Sequence, residues 1–167
     1  MKTITKVKVN LTPSEAQINA ILDMQTFVDQ LILIGNSNPE RSILGPDFSV
    51  WRWAIVSVEG GFQLPVPIRG NKENRMSLFN NGKEIEFSVE EAAVILAINY
   101  FSHFDIIKCS QATGNPINPF LNFPLSRAIN WENRMGGSTK CLESYQSLRD
   151  YLMADEDLFS RSFKILD

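Results

Sequence analysis

Few residues in this chain could carry out acid–base, nucleophilic or metal chemistry. The 167 residues include one histidine, His103, and two cysteines, Cys109 and Cys141. A serine or cysteine nucleophile needs a base within hydrogen-bond reach, and His103 is the one histidine that could serve. Its position near the end of an apolar helical segment has a structural explanation, because positive charge is favoured at a helix C-terminus. We predict that the protein is not an enzyme; a small enzyme with an unfamiliar site around His103 stays open as the alternative.

Known catalytic and cofactor-binding motifs are missing from the sequence. It contains no Gly-x-Ser-x-Gly, phosphate-binding loop, dinucleotide-binding glycine motif or His-Glu-x-x-His. The isolated cysteines and the single histidine lack the close ligand pairs of structural zinc sites. Glu84 and Glu86 alternate with apolar residues, so they share one strand face, which is typically solvated. The sequence predicts no catalytic residue, no cofactor and no metal.

Three features are better suited to recognition than to catalysis. Trp51 and Trp53 are two positions apart on a predicted strand and share a face, where burial in the core competes with display as an interface anchor. Gly60-Gly61 fits a hairpin turn. Arg149-Asp150 fits an ion pair or a pair of surface residues on a helix. Each feature therefore has a structural explanation beside a role in binding.

The charge balance indicates that nucleic acid is not the direct partner. The formal net charge is -3 at pH 7. A non-specific DNA binder needs a basic stripe and a DNA mimic needs a dense acidic surface, because duplex DNA carries one charge per ~1.7 Å. The charges of this chain are interspersed, which is typical of solvated faces. We expect a protein partner and no strong direct DNA binding.

Length and hydropathy predict one cytoplasmic domain, residues 1–167. The size lies within the roughly 100–200 residues of a single domain. The N-terminal segment has no apolar region before a small-residue cleavage site, so it does not resemble a secretory signal. The longest mainly apolar stretch, residues 92–101, is about half of the roughly 20 residues that a membrane helix needs. We expect no membrane contact.

The N-terminal half predicts a strand, a long helix and a hairpin. Residues 4–11 alternate as a short strand, and Thr12, Pro13 and Glu15 predict a capped helix from about 13 to 34. Residues 49–58 are rich in aromatic and β-branched side chains and lead through a glycine turn into a second strand. Pro65 and Pro67 predict that this second strand ends there or lies at a sheet edge.

The C-terminal half predicts a second hairpin and three helices. Asn80-Asn81-Gly82 is a strong hairpin signal, and Ser88 with Glu91 predicts a capped, nearly all-apolar helix from Val89 to about 104. Residues 105–137 are predicted to be a long loop with a helical turn around 126–134. A helix capped by Ser138 or Thr139 follows, with Leu142, Tyr145, Leu148 and Leu152 on one face, and then a short helix over about 157–165. The fold class predicted is α+β, a single domain with an antiparallel sheet of about four strands.

Three segments taken in order resemble the ArdB/KlcA family of antirestriction proteins, which plasmids and other mobile elements encode. They are residues 51–67, 75–103 and 145–167, and the most specific parts are the Ser-Val-Glu-Glu-Ala-Ala helix start and the Leu-Arg-Asp-Tyr segment. The residues that match the family pattern are Gly60, Gly61, Phe62, Asn81, Gly82, Ser88, Glu91, Ala92, Ala93, Ser102, His103, Tyr145, Leu148, Arg149, Asp150, Tyr151 and Asp167.

The resemblance implies a role in letting incoming DNA escape type I restriction. The partner would be the type I restriction-modification complex or a host factor that controls it. The chain departs from the family in its N-terminal segment and in an insertion at about 110–137. The resemblance also provides the candidates for an interaction face, which are Gly60, Gly61, His103, Arg149 and Asp150. The alternative function is inhibition of another host nuclease or defence enzyme with the same scaffold.

Overall fold

A computed structural model describes residues 6–22, 24–26, 28–29, 32, 42–45, 52–59, 62–69, 74–113, 129–130, 132–133 and 136–166. The strands are β1 Val7–Asn10, β2 Arg52–Val58, β3 Phe62–Ile68, β4 Arg75–Asn80 and β5 Lys83–Ser88. The helices that the structure describes from end to end are α1 Glu15–Asn19, α2 Val89–Thr113, α3 Ser138–Met153 and α4 Glu156–Leu166. The predicted α+β class is confirmed.

The first sheet has the strand order β1-β2-β3, with all neighbours antiparallel. In the register of β2 and β3, Ile55 lies opposite Pro65 and Trp53 lies opposite Pro67. Within the described residues β3 is an edge strand, as the two prolines predicted, because proline has no N–H to donate to a further strand. Trp53 is half-buried and packs against the core, whereas Trp51 lies outside the described residues.

The second sheet is the antiparallel hairpin β4-β5. Its turn residues Asn81 and Gly82 have φ values of 48° and 82°, which the predicted two-residue turn requires. The described strands therefore divide into a three-stranded and a two-stranded sheet. The prolines of β3 favour the division, because Pro65 and Pro67 remove two N–H donors that a further strand could use.

The N-terminal helix differs from its prediction in both its start and its length. Ser14, not Thr12, caps α1: its hydroxyl accepts from the Gln17 amide at 3.2 Å, and the Gln17 side chain accepts from the Ser14 amide at 2.8 Å. The Thr12 amide instead donates to the Asn10 side chain at 3.0 Å, which holds Thr12 in the preceding turn. A turn at residues 20–21 ends α1, and helical backbone resumes at described residues between 22 and 32.

The central helix α2 begins with the predicted capping box. The Ser88 hydroxyl accepts from the Glu91 amide at 3.1 Å, and the Glu91 carboxylate accepts from the Ser88 amide at 3.0 Å. The helix continues to Thr113, so the prediction of a loop from residue 105 is wrong for residues 105–113. These residues include neither glycine nor proline, and the first helix-breaking residue after them is Gly114.

Residues 92–97 of α2 are fully buried on every side of the helix. The helix contacts all five strands as well as α3 and α4. Three of the six buried residues are alanines, which lets neighbouring backbones approach closely. A helix that is apolar around its circumference must be covered all round, so α2 is the central element that the sequence predicted.

The helix α3 corrects two details of its prediction. Its N-cap is Gly137, and Ser138 and Thr139 lie inside the helix, so neither is the predicted cap. Leu142 is 65% exposed, whereas Cys141, Leu148 and Leu152 are buried. Cys141 and Leu142 are four and three positions before Tyr145, so either could share its face of the helix. In the structure Cys141 lies on the buried face, and Leu142 does not.

The last helix, α4, is hydrogen-bonded to both strands of the second sheet. The Asn80 side-chain amide donates to the Lys164 carbonyl at 2.9 Å, and the Arg161 guanidinium donates to the Glu86 carbonyl at 3.0 Å. The same guanidinium lies 5.0 Å from the centre of the Phe87 ring. The predicted terminal helix is confirmed, and it closes one end of the core.

Two glycines with positive φ provide a matched pair for testing the packing of β4. Gly45 has a φ of 79°, and a Cβ added there would meet the Phe79 ring at 2.5 Å, whereas one added at Gly82 would meet nothing within 4 Å. We expect Gly82→Ala to lower the free energy of unfolding by about 1–2 kcal/mol through backbone strain alone. Gly45→Ala should cost about 1–3 kcal/mol more, because overpacking is added. Urea unfolding followed by circular dichroism measures both; equal losses would contradict the packing.

Candidate functional site

The described residues include only part of the predicted interaction face. Gly60 and Gly61 lie outside the described residues. The backbone of His103 belongs to α2, and its side chain lies outside them as well. Arg149 and Asp150 are exposed neighbours on α3. The candidate site is therefore built from α3 and from what surrounds Arg149.

Two of the segments that resemble the family, residues 75–103 and 145–167, lie against each other. The Tyr145 ring of α3 stacks on the Phe101 ring of α2, with 5.1 Å between the centroids. One and a half turns further along α3, the Tyr151 hydroxyl donates to the Glu90 carboxylate at 3.2 Å. Leu148 lies between these two contacts and is fully buried. These contacts give Tyr145, Leu148 and Tyr151 a structural role in joining α3 to α2.

A groove of about 350 Å³ opens beside this contact, between α2, α3 and α4. We call it the Arg149 groove. Apolar side chains form most of its lining, and hydroxyl, amide and guanidinium groups are placed among them. The lining residues are Ile98, Asn99 and Ser102 of α2, Tyr145, Arg149 and Leu152 of α3, and Phe159, Ser162, Phe163 and Leu166 of α4.

Among the described residues that line the groove, Arg149 is the one that carries a charge. Its guanidinium carbon lies 6.0 Å from the centre of the Tyr145 ring, at the outer limit of a cation–π contact. Asp150 does not line the groove, and its carboxylate accepts from the Gln146 side chain at 3.0 Å. The two neighbouring charges that the sequence singled out therefore face different surroundings, and Arg149 alone belongs to the groove.

Three uncharged polar side chains lie in the same groove. The hydroxyls of Ser102 and Ser162 donate to the carbonyls of Ile98 and Phe159, at 3.0 and 2.9 Å. The side-chain oxygen of Asn99 is buried and has no hydrogen-bond partner in the described part of the chain. A buried acceptor in that state costs the fold about 1–3 kcal/mol.

Two phenylalanines on α4 form an exposed aromatic wall. Phe159 is 37% exposed and Phe163 is 54% exposed, and their ring centroids lie 6.2 Å apart. Sequence reasoning missed this wall, although its signal was present. Leu158, Ser162 and Ile165 are the buried face of α4, so a second apolar pair at Phe159 and Phe163, four residues apart, must lie on an adjacent face.

The described residues include no group of three or more His, Cys, Asp or Glu side chains placed to hold a metal ion. Over the same residues, no helix is both long and apolar enough to cross a bilayer. The chain matches no model of a known protein family, and no curated protein matches it. What the groove can do chemically is bind: it combines apolar area with the exposed cation of Arg149.

Tyr151 makes the contact between α3 and α2 sensitive to alkaline pH. Burial raises the pKa of Tyr151 to about 12, and the neighbouring carboxylates of Glu90 and Glu91 act in the same direction. Burial also raises the pKa of Tyr100 above its ordinary value. A raised folded-state pKa stabilises the fold below pH 10, and this contribution is lost as pH rises from about 10 to about 12.

We expect Tyr151→Phe to reduce the loss of stability on raising the pH from 9 to 11.5. The variant should not abolish this loss, because Tyr100, whose pKa is also raised by burial, still ionises when the chain unfolds. Urea unfolding at a series of pH values measures the difference between variant and wild type. Identical pH profiles for the two proteins would show that the Tyr151 hydroxyl does not titrate in this contact.

Proposed function

We propose that this protein acts by binding another protein, and that its activity is to protect incoming DNA from type I restriction. The family-like segments support the second part, since they comprise the Ser88 helix start, the Ser102-His103 position and the Tyr145–Tyr151 stretch. In the structure the Tyr151 hydroxyl joins the third of these segments to Glu90 of the first, and Ser102, Tyr145 and Arg149 line the Arg149 groove. That juxtaposition is the observation on which the proposal rests.

The chemistry of the groove supports binding to a protein. Aromatic residues and arginine dominate the energetics of protein–protein interfaces, and Arg149, Phe159 and Phe163 are displayed together here. Single exposed apolar residues are ordinary, but two exposed phenylalanines beside an open apolar groove form a connected patch. The patch provides an anchor that a partner can cover.

The charge distribution bears on how restriction would be relieved. A protein that copies the charge of DNA needs a large acidic excess, whereas this chain carries a net charge of only -3. The one charged residue in the described part of the groove lining is a cation, the opposite of what mimicry requires. We propose that the protein binds the restriction complex itself, or a host factor that controls it, at a site other than the DNA channel.

Phage plating tests the proposal directly. Unmodified phage is plated on strains that carry different type I systems, with and without the protein. We expect plating efficiency to rise toward that of phage already modified by the same system, which is the control for general effects on infection. Unchanged plating on several type I systems would refute the antirestriction assignment. Protection confined to strains with another class of nuclease would favour the alternative target.

A His103→Ala variant tests whether catalysis contributes. Because binding and not turnover is proposed, we expect the variant to protect as well as wild type. Its melting temperature is measured in parallel, so that loss of folding is not mistaken for loss of function. Full stability with abolished protection would instead point to an enzymatic role for His103.

A further inference from the structure

We infer that the Arg149 groove binds a short peptide segment of the partner protein in which an apolar side chain neighbours a carboxylate. This inference rests on the proposed function, since it names the chemistry of the partner that the groove would recognise. Two observations converge on it: the apolar volume of the groove and the exposed cation of Arg149.

The apolar part of the groove matches one or two large side chains. Its volume of about 350 Å³ lies at the lower end of the range for ligand sites, roughly 300–1,000 Å³. Ile98, Leu152 and Leu166 supply aliphatic surface, and the rings of Phe159 and Phe163 stand beside it partly exposed. A leucine, phenylalanine or similar side chain inserted there would remove this apolar surface from water.

The positive charge of Arg149 indicates that the second group of the ligand is an anion, and the shape of the guanidinium favours a carboxylate. Arg149 is exposed and is the one charged residue among the described residues that line the groove. A planar guanidinium forms paired hydrogen bonds with a carboxylate. Nucleic acid and phosphorylated segments are bound by clusters of cations, whereas the described lining presents one cation among apolar groups. A carboxylate on a mostly apolar segment is the complement.

Because the proposed partner is a protein, a peptide segment is the source that carries both groups, an apolar side chain and a neighbouring carboxylate, on one backbone. A small aromatic acid such as phenylpropionate carries the same two groups without the backbone, so it is the comparison ligand in the test.

Peptide binding to the full chain tests the inference. The probe is a pool of hexapeptides in which Asp or Glu alternates with Leu, Ile, Phe or Trp, and NMR of the ¹⁵N-labelled protein detects where it binds. We expect shifts in the backbone amides of Ser102, Arg149 and Ser162. A pool with Lys in place of the acids, or Ser in place of the apolar residues, should bind about tenfold or more weakly. Equal binding of all pools, or no shifts in the groove, overturns the inference.

Charge reversal separates a specific contact from a general charge effect. Arg149→Glu should abolish binding of the acidic pool and allow binding of the lysine pool. Lys140→Glu makes the same change of charge on the same helix, at an exposed residue that pairs with Glu143 at 3.8 Å and does not line the groove. We expect it to bind like wild type. Equal loss in both variants, or none in Arg149→Glu, overturns the inference.

Two further outcomes would assign the groove to another occupant. Tighter binding of phenylpropionate than of the acidic pool would mark a site for a small acid. Dimerisation of wild type in sedimentation, lost in Arg149→Glu, would show that a second copy of the chain fills the groove. Either result overturns the peptide inference.

Plating assays with the same variants distinguish failure of the inference from failure of the proposed function. If wild type protects phage, Arg149→Glu and Phe163→Ser should lose protection and Lys140→Glu should keep it. Protection retained by both groove variants overturns the inference and leaves the antirestriction proposal standing. If wild type does not protect, the antirestriction proposal fails, and the peptide titrations alone decide what the groove binds.

Discussion

The need to cover one helix on all sides organises this molecule. Residues 92–97 of α2 expose no surface, so both sheets and both C-terminal helices must pack around them. Such burial is favourable by about 25 cal/mol per Å² of apolar surface, and a side chain on any face of α2 contributes. The Arg149 groove lies at one end of this cover, where described residues of α2, α3 and α4 leave space beside Ile98 and Ser102.

Local chemistry explains the elements that could be predicted from the sequence. The hairpin at Asn81-Gly82, the capping box of Ser88 and Glu91 and the edge position of the proline strand each depend on residues within a few positions of one another. Predictions failed where two local signals competed. Thr12 and Ser14 are both good helix caps, and only the turn made by Asn10 decides between them.

The candidate site was predicted only in part, because it is assembled from distant segments. Arg149 could be singled out from the sequence, but its companions Asn99 and Phe163 come from other helices, and no spacing rule connects them. The long insertion predicted after residue 104 also concealed the true length of α2. A groove depends on how helices diverge, which packing determines and hydrophobic periodicity does not.

The proline-bearing edge of the first sheet limits how a partner can approach. Many recognition proteins bind an extended peptide by adding it as a further strand, so that main-chain hydrogen bonds supply much of the affinity. Pro65 and Pro67 remove two of the N–H donors that such β-augmentation along β3 would use. They also disfavour pairing of that edge with a strand of another chain. Recognition is thereby directed away from backbone pairing at β3 and toward side-chain complementarity, which can be altered one residue at a time without disturbing the sheet.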